Sequence, residues 1–113
     1  MKQVDSISVA ELQIMSASMY GELVKAVVDI QNKIIVVDAE LHADEEQFLL
    51  EQGSNQDDLW GINLYPEDFG SDDFIEFDSM INIRPRQNNR SRSVEDPVIQ
   101  DLIRSIVDGV VNE

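Results

Sequence analysis

The chain contains no cysteine. A disulfide framework, a thiolate zinc site and a cysteine nucleophile are therefore excluded. Positive charge is scarce: eight Lys and Arg stand against twenty-three Asp and Glu, for a net charge of -15 and an isoelectric point near 4.1. Such a surface repels phosphate backbones and anionic bilayers, so nucleic acid and membrane are disfavoured as partners. There is one histidine. No apolar run approaches the roughly 20 residues of a membrane span. The opening stretch MKQVDSISVAELQ lacks the apolar segment of a secretory signal. The expected location is cytoplasmic. Gly-x-Ser-x-Gly, phosphate-loop and His-Glu-x-x-His patterns are all missing, so no nucleophile, nucleotide site or zinc helix is marked. No cofactor is indicated.

What is present is enough for one core. With 113 residues and 42% hydrophobic content, the chain is expected to form a single domain, 1–113. Ser8-Val9-Ala10-Glu11 reads as a capping box opening a helix over 9–20, with Gly21 as its stop. VKAVVDI and IIVVD, separated by Gln-Asn-Lys, predict a β-hairpin. Acids crowd the start of HADEEQFLLEQG, where the helix dipole favours them, and predict a second helix over 43–52. LWGINLY predicts a strand over 59–65 ended by Pro66, and FIEFDSMINIR a longer one over 74–84 ended by Pro85. Asp96-Pro97 opens a last helix striped by Ile99, Leu102, Ile103, Ile106, Val107 and Val110. The order α-ββα-ββα implies an α+β domain: a four-stranded, mainly antiparallel sheet with its helices packed on one face. Trp60, Ile62, Leu64, Ile75, Phe77, Ile81, Ile99, Leu102 and Ile106 are expected to share its core.

Three polar features are candidates for function. Alternation along the third and fourth strands gathers Asn63, Tyr65, Glu76, Asp78, Asn82 and Arg84 on the face away from the helices. Asp and Asn are poor strand formers, so their presence reads either as an ordinary solvated face or as a concavity that binds something. Second, Asp38-Ala-Glu40-Leu-His42 places the histidine among carboxylates. On an extended backbone Asp38, Glu40 and His42 would point the same way, as weak candidate ligands for a divalent metal. Dipole-favoured acids before a helix explain the run equally well, and no tight metal site is expected.

The third feature is the segment NIRPRQNNRSRS. Half of the chain's positive charge, Arg84, Arg86, Arg90 and Arg92, sits there without an acid among them. Arginine forks recognise carboxylates and phosphates, and a helix start follows. These arginines are read as neutralised by carboxylates of this chain or of a second copy, with a small anionic ligand as the competing occupant. Arg84 is expected to reach Asp78 or Asn82 and to matter most, Arg86 least. The candidate ligand-binding set is Asn63, Tyr65, Glu76, Asp78, Asn82, Arg84, Arg90 and Arg92. The leading expectation is a small binding or interaction module that self-associates as a homo-oligomer. The alternative is a metal-dependent enzyme acting on a phosphorylated or otherwise anionic substrate, with His42 and the arginines in its site.

The phrases GELVKAVVDI…IIVVDAELHADEEQFLLEQGS, DDLWGINLYP and IEFDSMINIRPRQNNRSRSVEDPVIQ carry a likeness over nearly the whole chain. Together they resemble a small bacterial family known only as a domain of unknown function, number 5674. The resemblance implies a bacterial protein and transfers no activity, ligand or residue role.

Overall fold

The computed structural model describes all residues, 1–113. Its main sheet has five strands rather than the four expected: β1 (Lys2–Val4), β3 (Val24–Asp29), β4 (Ile34–Val37), β5 (Leu59–Leu64) and β6 (Ile75–Glu76), in the order β1-β4-β3-β5-β6. Every neighbouring pair is antiparallel. Three helices complete the α+β domain: α1 (Val9–Ser18), α2 (His42–Glu51) and α3 (Pro97–Val110). A small parallel pair, β2 (Ile7–Ser8) with β7 (Val111–Asn112), ties the two ends of the chain together.

Local chemistry explains most element ends. Ser8 accepts the Glu11 N–H at 3.1 Å, so the capping residue read from the sequence does cap α1. Asp96 does the same for α3, accepting from Val98 N–H at 2.9 Å, with Pro97 in the first turn. The β3–β4 turn closes on Asp29, whose carboxylate accepts the N–H groups of Gln31 and Asn32 and the Ser54 hydroxyl.

The helices do not lie on one face. Val24, Ala26 and Val28 of β3 pack with Ile62, Leu64, Leu12, Ile103 and Val107, so α1 and α3 cover that side. Val27, Val36 and Leu59 point the other way and pack with Leu49 of α2. A sheet with apolar residues at successive positions of its central strand needs cover on both sides, and α2 supplies the second layer.

Two expected core members are also displaced. Ile81 packs with the α2 cluster, across the sheet from Trp60. Leu102 remains 43% exposed, at the rim of the α3 stripe, while Ile103 is fully buried. The stripe is wider than the sheet it meets, so its edge stays in solvent. Urea titration should therefore find Leu102→Ala within about 1 kcal/mol of the parent, against a loss of about 2–5 kcal/mol for Ile103→Ala. Similar losses from both would return Leu102 to the core.

The largest departure lies in 74–84. The expected long strand is two residues of β6, followed by a 3₁₀ turn at Met80–Asn82 and another at Pro85–Gln87. Ser79 starts the first turn by accepting the Ile81 N–H, and Pro85 enters the second. Where β6 stops, a side chain continues its work. Asn82 Oδ1 accepts from Gly61 N–H at 2.9 Å, and its Nδ2 donates to Gly61 O at 3.0 Å. One carboxamide thus supplies the donor and acceptor that a neighbouring peptide would have offered to β5. The approach is close: a Cβ on Gly61 would lie 2.6 Å from Ser79 Cβ and Oγ, so only glycine fits.

Candidate functional site

The arginine segment is a folded loop built around Asn89. Its side chain donates to the carbonyls of Asn82, Ser91 and Ser93 and accepts from Glu95 N–H, while Arg84 and Asn89 pair backbone to backbone. Asn88 sits in the left-handed region at φ 60°, which asparagine tolerates. The four arginines then meet different fates. Arg84 is buried and does not reach Asp78 or the Asn82 side chain. Its guanidinium lies 4.1 Å from the Trp60 ring centre and donates to Leu59 O at 2.6 Å and to Gln56 O. Arg86 pairs with Asp57 at 2.6 Å, but both side chains are more than half exposed, so the pair contributes only about 0–1 kcal/mol. Arg92 Nε meets Asp78 Oδ1 at 2.5 Å. The Arg90 side chain has no partner; its backbone N–H, with that of Ser91, is held by Glu95 at 2.8 Å. Arg84 and Asn82 are thus committed to backbone groups, while Arg90 and Arg92 remain at the surface.

The polar residues of β5 and β6 do gather. Asn63 faces the α2 side of the sheet, because its cross-strand partner Lys25 shares parity with Val27. Asn63 Nδ2 donates to Glu76 Oε1 at 2.8 Å and to Asp78 O at 3.2 Å, and Tyr65 OH donates to the same Glu76 oxygen at 3.1 Å. Burial and the Glu76 carboxylate hold the Tyr65 phenol above its usual range.

The acid-histidine run behaves differently from its expected extended form. β4 ends at Val37, and Asp38 turns the chain at φ 70°, so Asp38, Glu40 and His42 do not share a direction. No three His, Asp or Glu side chains come close enough to hold a metal ion. His42 alone goes to the polar face. As the first residue of α2 it is buried, and its Nε2 donates to Ile62 O at 2.7 Å. Burial lowers its pKa, outweighing that bond, so the ring is neutral near pH 7, with Nε2 protonated and Nδ1 left as an acceptor.

Beside His42 lies a pocket of about 170 Å³, lined by Lys25, Leu41, His42, Ala43, Ser79, Met80, Ile81 and Arg92. Several of its donors have no other duty. The Lys25 ammonium sits 4.8 Å from the Tyr20 ring centre and makes no ion pair, and Tyr20 is itself fixed by donating to Glu40 O. Arg92 is aimed by Asp78, which uses one of the guanidinium's five N–H donors. Leu41, the residue before α2, has a side chain that cannot cap, so the first-turn N–H groups have no side-chain acceptor there, although Asp44 N–H bonds to Leu41 O at 3.2 Å. The buried Ser79 hydroxyl accepts from Ile81 N–H and has a proton left to donate.

The sequence groups Asn63, Tyr65, Glu76 and Asp78, and the structure brings them together, though on the side that α2 covers rather than on a face away from all helices; Lys25, Tyr20 and Ser79 are not among the residues it singles out. Lys25 carried a signal, as the one basic residue inside an otherwise apolar strand. Its meeting with Arg92 depends on strand order and on where α2 starts, which a linear pattern does not contain.

A family model described as a protein of unknown function, DUF5674, matches residues 3–110. No curated protein and no solved structure shows significant similarity to the chain. With nearly the full length matched, the chain belongs to the DUF5674 family.

Proposed function

We propose that this chain is a small binding module whose site is the pocket at the start of α2, and that the pocket receives an anionic group between Lys25 and Arg92. One observation carries the reading: two of only eight basic residues converge on an uncapped helix N-terminus within one pocket, on a chain of net charge -15. The overall field repels anions. A local cluster of donors that the chain's own acceptors leave open supplies the attraction that the overall field lacks. Asp78 is part of the device, since it orients Arg92 and leaves its outer N–H groups open. A carboxylate of a second copy is also an anion, so self-association through this face is the macromolecular form of the same reading. A metal-dependent enzyme draws no support from the geometry, because Asp38 and Glu40 do not join His42.

The test is an NMR titration of the full chain with sodium acetate and with inorganic phosphate at constant ionic strength. Amide shifts should centre on His42, Ala43 and Ser79, and should weaken at least ten-fold in Lys25→Met and in Arg92→Gln. Thermal midpoints of the two variants check that the fold is kept. Shifts scattered over the surface, or unchanged in both variants, would reject the site.

A further inference from the structure

Resting on that reading, we infer that the pocket takes a monocarboxylate carried on a short apolar body, and not a phosphate dianion. The local charge is the first argument. Lys25 and Arg92 bring two positive charges, and Asp78, paired to Arg92 at 2.5 Å, removes one. His42 adds none, because its protonated Nε2 is spent on Ile62 O and its other nitrogen is an acceptor. At most one charge remains, with the partial positive charge of the α2 N-terminus, about half a unit, set against Glu76, which also acts on Arg92, and Asp44 in the first turn of α2. That balances a carboxylate. A dianion would be under-neutralised.

Shape and polarity give the second argument. Four of the pocket's residues are apolar: Leu41, Ala43, Met80 and Ile81. Leu41 and Met80 stand 53% and 64% exposed beside the cations. Large apolar side chains left in water next to a charged pocket suit a ligand with one charged end and one apolar end. The volume, about 170 Å³, is below the roughly 300–1,000 Å³ of sites for drug-sized molecules, which limits the body to a few carbons. The carboxylate then lies between the first-turn N–H groups and Arg92, within reach of Lys25 and the Ser79 hydroxyl, and the hydrocarbon lies along Met80 and Leu41.

Calorimetric titration with acetate, butyrate, hexanoate and inorganic phosphate at pH 8 and fixed ionic strength tests this. Each methylene that leaves water tightens binding by up to about four-fold. Hexanoate should therefore bind at least ten-fold tighter than acetate, and at least ten-fold tighter than phosphate. Met80→Ser should flatten the dependence on chain length, with acetate the least affected of the carboxylates. Leu41→Ser, which supplies the missing cap and removes part of the apolar wall, should weaken both acetate and hexanoate, and hexanoate the more. Phosphate binding as tightly as hexanoate, or affinities independent of chain length but still lost in Arg92→Gln, would overturn the carboxylate inference and keep the anion pocket. Loss of neither anion class in Lys25→Met or Arg92→Gln, or no binding of any of the four, would overturn both.

Discussion

Asn82→Ala should lower the stability of the fold by about 4 kcal/mol, read from urea unfolding of the purified chain. The size follows from what the side chain serves. Asn82 is wholly buried, and besides its two bonds to Gly61 it donates to Arg92 O at 2.9 Å. Truncation strands both Gly61 groups, and each costs about 1–3 kcal/mol when left dry, whereas Arg92 O loses one donor but keeps the Ser79 N–H at 3.0 Å. Refilling by water is limited, because Gly61 lies directly against Ser79. Asn82→Asp should be no rescue: the carboxylate keeps the acceptor for Gly61 N–H but loses both donations. A loss below about 1 kcal/mol for Asn82→Ala would mean that water closes the β5 edge and that the carboxamide is dispensable. The same substitution should also disturb the pocket beside α2, since Asn82 holds the backbone of Arg92.

The second large effect concerns a group that the candidate site does not use. Glu45 lies in α2 with no exposed surface, and neither carboxylate oxygen has a hydrogen-bond partner of good geometry, the Ala39 N–H being near enough to favour the charged form without closing such a bond. Burial pushes its pKa from 4.5 up to about 10, against the opposing pull of the Ala39 amide, the N-terminal ammonium and Lys25. In the folded state Glu45 is therefore a neutral acid. The unfolded chain releases that proton above about pH 4.5 while the folded chain keeps it, so each pH unit between 4.5 and about 10 removes about 1.4 kcal/mol of stability. The contribution is fully present below the unfolded value and is lost as pH rises towards the folded one. At pH 7 the penalty is about 3 kcal/mol. Glu45→Gln should remove the slope, so that its stability relative to the parent rises by about 3 kcal/mol between pH 6 and pH 8. Glu45→Leu should be more stable than the parent at pH 8, because an apolar group replaces a buried one without partners. Parallel stability curves for the parent and Glu45→Gln would show that the carboxyl is ionised and partnered.

Much of the architecture is local and was legible. Ser8, Asp96 and Pro97 cap helices through contacts within three residues, and the β3–β4 hairpin announces itself by two β-branched runs around a polar turn. β1 was not legible, because Lys2-Gln3-Val4 has no strand signature; it is extended because β4 offers an open edge. The segment 74–84 was misleading for a related reason. Its alternation is genuine, but a strand exists only where a neighbour exchanges hydrogen bonds with it, and past Glu76 that partner is the Asn82 side chain.

The amino-acid sequence by itself determined the acidic charge, the exclusion of thiol chemistry, the α+β class, the helix ends and the polar residues of β5 and β6. Their meaning was decided by tertiary structure. Arg84, the arginine expected to serve the polar face, is taken up by Trp60 and two carbonyls, whereas Arg92 is aimed by Asp78 at a pocket completed by Lys25 and α2. The physical reason is that a cap or a hairpin is settled by bonds between near neighbours in the chain. A binding pocket instead depends on which strands are adjacent, which sheet face a helix covers, and which donors are left without an acceptor once the backbone is satisfied.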